Sequence, residues 1–462
     1  MTIKPHGPFP TTRQLAWHAM PYYGFIHFTV NTFTDREWGY GDESPEIFNP
    51  EQLDCRQWAR AASEGGMGGL ILTAKHHDGF CLWPSAHTAH SVKNSPWRNG
   101  KGDVVREFID ACGEYGLKAG LYLSPWDRNH SEYGREAYLD YYRHQLEELL
   151  TEYGSLFEIW FDGANGGDGY YGGACESRKI DATTYYRFPE LWEIVRQHQP
   201  EACMLSDAGP DVRWCGNELG FLPVTSWMKI RGEGYYPGVT PEPDGRDRLG
   251  SGDSDGDVWL GTEVDVSIRP GWFWHETEEP RSLEELQNIY LCSVERGGNL
   301  LLNLAPDNRG LVPEADVVRL LELKRFIDRC KADDIATEAT ISADSILGDS
   351  FAPQNLIDGN QKTCWAAAEG ESRAVITVEF SEKRRISAVR LEEMIEYGQR
   401  VERFSILVRS GWGQMSEVAI GTTIGPRRVI RFAAIEATRV EIVIEKSQAN
   451  PILRRVGIHQ SN

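Results

Sequence analysis

Short apolar runs alternate with longer amphipathic stretches through the first two thirds of the chain. The runs are Gly24–Thr29, Met67–Ala74, Lys118–Ser124, Leu156–Phe161, Ala202–Asp207 and Gly298–Asn303, with weaker ones at Thr225–Lys229 and Val264–Ile268. Each has strand length, and most are apolar throughout, as strands buried on both faces are. Between them, Asp54–Glu64, Val104–Tyr115, Arg135–Tyr153, Phe188–His198, Leu283–Arg296 and Glu314–Cys330 read as helices, with Gly116 and Pro200 as stops. Strand and helix recur roughly every 35–45 residues, which predicts a (β/α)8-like TIM barrel. No Gly-rich phosphate loop follows the first strand, which argues against a doubly wound sheet.

Beyond about residue 335 the period changes to two. Ala374–Phe380, Ile386–Leu391, Phe404–Val408, Arg428–Phe432 and Arg439–Ile444 alternate apolar and polar positions with no helix between them. This predicts a β-sandwich of jelly-roll type, so the fold class is multidomain, α/β plus all-β. Charge divides the chain at the same place. Residues 336–462 carry 16 basic and 16 acidic side chains, so the whole net charge of −21 falls in residues 1–335. The expected domains are 1–335, a catalytic barrel, and 336–462, a sandwich.

An acidic chain is a poor partner for nucleic acid. No apolar run reaches 18 residues, so no membrane span is expected. The nine cysteines include no Cys-x-x-Cys pair, against a disulfide framework or a zinc knuckle. Met1–Pro8 lacks the apolar core of a signal peptide.

Polar and aromatic side chains recur where the runs end: His27, His76, His77, Tyr122, Asp162, Asp207 and Asn303. In a barrel of parallel strands these ends converge on one pocket. Asp162 closes the run Leu156–Phe161 and precedes Gly163. A carboxylate there serves as a catalytic group or as a turn cap. The next loop, Asp207–Glu218, offers Asp207, Asp211 and Glu218 as a second carboxylate, and Arg213 as a group to hold a hydroxyl. Cleavage of a glycosidic bond needs two carboxyl groups, one to attack or activate water and one to protonate the leaving oxygen. A metal site built on His76, His77, Asp78 and Asp162 is the alternative, but adjacent histidines on a strand point apart.

Several segments together resemble the α-L-fucosidases of glycoside hydrolase family 29. They are His27-Phe, Asn31–Gly39, Lys75-His-His-Asp-Gly-Phe80 with Trp83, Tyr122-Leu-Ser, Trp160-Phe-Asp162-Gly, Gly216-Asn-Glu218 and Gly297–Asn303. Asn31–Thr34, Asp211–Glu218 and Val266–Trp272 resemble the branch that prefers α-1,3/1,4-linked fucose. Pro353–Gly359 and Thr363–Trp365 resemble discoidin-like (F5/8 type C) modules, which often bind sugars.

The resemblance implies a retaining exo-α-L-fucosidase acting on fucosylated oligosaccharides or glycoconjugates, with neither metal nor cofactor. Asp162 would be the nucleophile and Glu218 the general acid/base. His27, Glu37, Trp38, His76, His77, Trp83, Tyr122, Trp160 and Arg213 would bind the sugar. It further implies a periplasmic or secreted protein, ahead of a lysosome-like one. The oligomeric state stays open. Two rival readings are a catalytically silent carbohydrate-binding protein on the same scaffold and a metal-dependent barrel hydrolase.

Overall fold

The structure, a computed structural model, describes residues 2–410 and 413–460. The first residue and the last two of the expected domain ranges lie outside it. Eight parallel strands close into a barrel: β1 (Tyr22–Ile26), β2 (Gly69–Lys75), β3 (Lys118–Leu123), β4 (Glu158–Trp160), β5 (Cys203–Ser206), β6 (Val212–Trp214), β7 (Gly261–Ser267) and β8 (Asn299–Leu304). Each pairs with its neighbours in sequence, and β8 returns to β1 with Tyr22 opposite Leu300.

Alternation along the strands sorts the side chains. Tyr23, Phe25, Ile71, Tyr122, Trp160, Leu205, Val212 and Leu301 face inward and fill the barrel. Ile26, Leu70, Leu72, Leu121, Ile159, Met204, Leu300 and Leu302 face the helices around it. Three of those helices start at capped positions: the Asp54 and Asp103 side chains accept backbone N–H groups, and Ser282 with Glu285 makes a capping box. Two inward positions near the barrel floor are acidic. Glu263 accepts from Trp160 Nε1 at 2.7 Å and from the Tyr23 hydroxyl, and Glu158 accepts from Trp17 Nε1 at 3.1 Å. Burial, reinforced by Glu263, pushes the Glu158 carboxyl well above the usual range.

The sixth strand corrects the sequence reading. It is Val212–Trp214, separated from β5 by one tight turn with no helix between them. The expected strand at Thr225–Lys229 survives only as Lys229–Ile230, which pairs with Val258–Trp259 outside the barrel.

After the helix Glu314–Ala332 the chain enters a seven-stranded antiparallel sheet: β9 (Thr340–Ala343), β10 (Trp365–Ala366), β11 (Ala374–Glu393), β12 (Val401–Arg409), β13 (Ser416–Gly421), β14 (Arg428–Ser447) and β15 (Ile452–Gln460). β11 and β14 run 20 residues each, and register shifts at Glu379/Arg384 and Ile386/Ala388 bend them. The first half of β11 pairs with β9 and its second half with β15, so one continuous path builds both layers of a sandwich. The sandwich core holds Trp365, Ile376, Val378, Leu391, Phe404, Ile406, Val440, Ile442 and Val456.

The sandwich is tied to the barrel by buried polar contacts. The Gln399 side chain accepts from Met228 N at 2.7 Å and donates to Ser226 O at 3.0 Å. Arg431 pairs with Glu295, and Lys229 reaches Gln448.

Candidate active site

All eight barrel strands send a side chain to the same end. A pocket of about 340 Å³ opens there, lined among others by His27, His76, His77, Tyr122, Trp160, Asp162, Trp214 and Asp265. Its floor is aromatic. Phe25 and Trp160 lie 5.4 Å apart, and Tyr122 stacks on Trp160 at 5.4 Å. The rigidity of this floor comes from below, where Trp160 is held by Glu263.

Asp162 sits two residues past β4. Tyr122 Oη donates to its Oδ2 at 2.8 Å, and the Ala164 amide donates to its Oδ1 at 2.7 Å. His77 Nε2 lies 3.7 Å from Oδ2. The protonation of His77 follows from its other side. Nδ1 is 2.7 Å from the Ser124 hydroxyl, which itself donates to Trp126 O at 2.7 Å. Ser124 has therefore spent its hydrogen and must accept from His77 Nδ1–H. Burial drives the His77 pKa down to about 4, against the pull of Asp162. The ring is neutral, and its bare Nε2 faces the pocket beside Asp162 as an acceptor.

His27 is fixed the same way. Asn303 gives its amide hydrogens to Trp272 O (2.7 Å) and Ser267 Oγ (3.0 Å), so its Oδ1 accepts from His27 Nδ1–H at 2.8 Å. Burial lowers the His27 pKa to about 3. His76 is likewise held well below its ordinary value by burial, and its Nδ1 is buried with no partner among the described residues. Lys75 and Asp78 of the same motif point away from the pocket. Lys75 Nζ meets Asp127 at 3.3 Å and Gln145 at 2.9 Å, while Asp78 binds Thr29 Oγ1 and the Phe80 amide.

Glu218 also lines the pocket and accepts from Trp272 Nε1 at 3.2 Å. Burial raises its carboxyl, Trp272 opposes, and the charge of Asp162 adds to the rise. Glu37 also reaches the pocket, but its oxygens are engaged: they accept from the amides of Trp272 (2.9 Å) and Phe273 (3.1 Å) and from His275 Nε2 (2.7 Å). Burial works against charge on His275, but hydrogen bonds from its two nitrogens to Asp35 and Glu37 prevail and raise its pKa. Trp38, half exposed at the rim, meets His77 edge-on at 5.1 Å.

Two residues expected at the pocket lie elsewhere. Arg213 is on β6 between inward Val212 and Trp214, so it points outward. Its buried guanidinium donates to the carbonyls of Trp227, Leu249 and Leu260. Trp83 is buried beneath the strand ends, and its Nε1 donates to Glu148 at 2.8 Å. Of the three carboxyl groups offered for the second role, Asp211 is taken by Arg13 and Arg196. Asp207 and Glu218 both line the pocket, and burial followed by Asp162 pushes Asp207 up to about 6.

Asp265 and Arg246 were missed. Asp265 accepts from Trp214 Nε1 at 2.7 Å, and burial then Glu218 hold its carboxyl well above the usual range. Its signal was present: it is a polar residue at the inward register of β7. Arg246 comes from the short helix Gly245–Ser251, with its guanidinium 5.6 Å from the Trp214 ring. No periodicity marks it. Among the described residues, no three His, Cys, Asp or Glu side chains converge as a metal-ligand group.

The alpha-L-fucosidase family model matches residues 11–215, and the NedA-like, galactose-binding domain model matches residues 355–442. Alpha-L-fucosidase 1 of Arabidopsis thaliana is 40% identical over 99% of this chain and 89% of its own. Among solved structures, SpGH29 superposes with a TM-score of 0.92 at 38% identity, covering 100% of both chains. A Ruminococcus gnavus GH29 fucosidase in complex with fucose gives a TM-score of 0.89 at 29% identity, covering 100% of this chain and 97% of its own.

Proposed function

From the premise that this chain belongs to the α-L-fucosidases of glycoside hydrolase family 29, we propose that it releases terminal α-1,3/1,4-linked L-fucose with retention of configuration. The observation that carries the mechanism is one pocket holding Asp162 and Glu218 in unlike surroundings. Asp162 is set for attack by two donors, Tyr122 and the Ala164 amide, which hold its oxygens in place. Burial raises the Glu218 carboxyl and so favours the protonated form that gives a proton to the departing oxygen. In the second step the Glu218 carboxylate takes a proton from water, which attacks the fucosyl–Asp162 ester and frees fucose.

The neutral histidines supply the sugar contacts. His77 Nε2 accepts a ring hydroxyl, and a second hydroxyl reaches the His27–His76 edge. The apolar surface of Phe25 and Trp160 suits the methyl group of a 6-deoxy sugar. Trp214, Arg246 and Trp272 stand beside Glu218 at the mouth, where the leaving sugar would lie. Contacts there help place Glu218 over the leaving oxygen and so favour a branched acceptor over an aryl group. We take residues 1–335 as the catalytic unit and 336–462 as an accessory module. The route outside the cell stays our expectation. No helix among the described residues is long and apolar enough to cross a membrane.

The test compares kcat/KM on a Lewis-type branched trisaccharide, its 1,2-linked isomer and nitrophenyl fucoside. The branched trisaccharide should lead. Equal or higher efficiency on the nitrophenyl compound overturns the linkage assignment.

A further inference from the structure

A second cavity lies at the far end of the barrel, walled on one side by the N-terminal segment and on the other by the sandwich. It measures about 390 Å³ and is lined by cations from both units, with Lys331 from the barrel helices and Arg390, Arg427, Arg431 and Arg454 from the sandwich. Three of these are matched: Arg431 pairs with Glu295, Arg390 with Glu392, and Arg454 with Glu396. Arg427 and Lys331 form no ion pair among the described residues. The side chain of Arg427 has one weak bond, from Nη1 to Val294 O at 3.3 Å.

His18 also lines this wall. His18 is 6% exposed, and its Nε2 accepts from Trp259 Nε1 at 3.2 Å. Trp can only donate, so the His18 proton sits on Nδ1, and that N–H has no partner among the described residues. His459, on the same wall, has a buried Nε2 without a partner. Arg427 and Lys331, left unmatched on a wall whose other cations are paired, call for an anion. Burial followed by the charge of Arg427 lowers the His18 pKa to about 3, so His18 adds no charge to the wall.

We propose that this cavity binds an oxyanion, phosphate or sulfate, either free or carried as an ester on a sugar, between Arg427 and Lys331. A guanidinium matches the oxygens of such a group, and an ammonium completes the charge. The cavity exceeds the 340 Å³ of the catalytic pocket, which leaves room for a sugar behind the anion. The site draws on both units, so the bound anion would also brace their interface. It does not depend on the catalytic reading given above.

Calorimetric titration of the full chain, at fixed ionic strength, uses inorganic phosphate, inorganic sulfate, glucose 6-phosphate, glucose and chloride as probes. Saturable binding of the oxyanions is expected, with none for glucose or chloride. Arg427→Gln should weaken it at least tenfold, and Lys331→Gln, on an exposed side chain with no structural bond, should weaken it several-fold. In both variants kcat/KM on a fucoside should stay within twofold of wild type. Tighter binding of glucose 6-phosphate assigns a sugar ester, and equal binding assigns the free anion. Either upholds the site. Absence of binding by all three oxyanions, or equal affinity in wild type and in Lys331→Gln and Arg427→Gln, overturns it.

Discussion

Tyr122 Oη donates a 2.8 Å hydrogen bond to Asp162 Oδ2, across neighbouring barrel strands whose registers place Tyr122 beside Trp160. That bond fixes the carboxylate that our mechanism asks to attack. Tyr122→Phe keeps the stacking on Trp160 and removes only the donor. We expect kcat to fall about tenfold, the scale of one lost hydrogen bond in a preorganised site, with the melting temperature nearly unchanged. A rate equal to wild type would show that the bond positions nothing.

The pH profile should follow Glu218 and His77. The Glu218 carboxyl is raised, so its proton is present below the folded pKa, and kcat/KM should fall as pH rises through it. The same shift favours the folded state below the ordinary carboxyl pKa, and that contribution is lost as pH climbs past the raised value. His77 has the opposite sign: its pKa is depressed to about 4, so its neutral form costs nothing above 6.5 and stability falls between pH 6.5 and 4. Glu218→Gln should abolish the alkaline limb along with most of the rate on a poor leaving group. An unchanged alkaline limb in the residual activity would reassign it.

His275 holds Glu37, and Glu37 holds the amides of Trp272 and Phe273, so the His275–Glu37 pair is one of the contacts that fix the loop beside Glu218. His275→Ala should loosen that loop and raise KM for a branched substrate more than for an aryl fucoside. Equal effects on both substrates would remove the loop from leaving-group recognition.

Gln399 crosses from the sandwich to the barrel with two buried bonds. Gln399→Ala leaves Met228 N and Ser226 O unmet, at a cost of about 2–4 kcal/mol. Denaturant titration measures it. A change below about 0.5 kcal/mol would mean that the two units hold together by other contacts.

Much of this was legible before any coordinates. His27, His76, His77 and Asp162 stand out because apolar runs of strand length stop at them, and a parallel barrel turns such stops into one site. Val212–Trp214 was hidden because three residues are too few to show a period, and because β5 meets β6 with no helix to keep the spacing. That one missing helix also misplaced Arg213. Read as a loop residue it seemed free to reach a sugar; on a strand it must point opposite to Val212 and Trp214. Trp83 was carried by its neighbourhood in a motif, although its indole serves packing and Glu148. Arg246 lies on the seven-residue helix Gly245–Ser251, which is too short to show a period in the sequence.

The central claim is that Asp162 becomes covalently bound to fucose. Incubation with 2-deoxy-2-fluoro-fucosyl fluoride slows both steps but leaves a good leaving group, so the intermediate accumulates. Peptide mass spectrometry should then find one fluorofucosyl adduct per chain, on Asp162, and none in Asp162→Ala. An adduct on Asp207 or Glu218, or no adduct while fucosides are hydrolysed to the inverted anomer, would contradict the account.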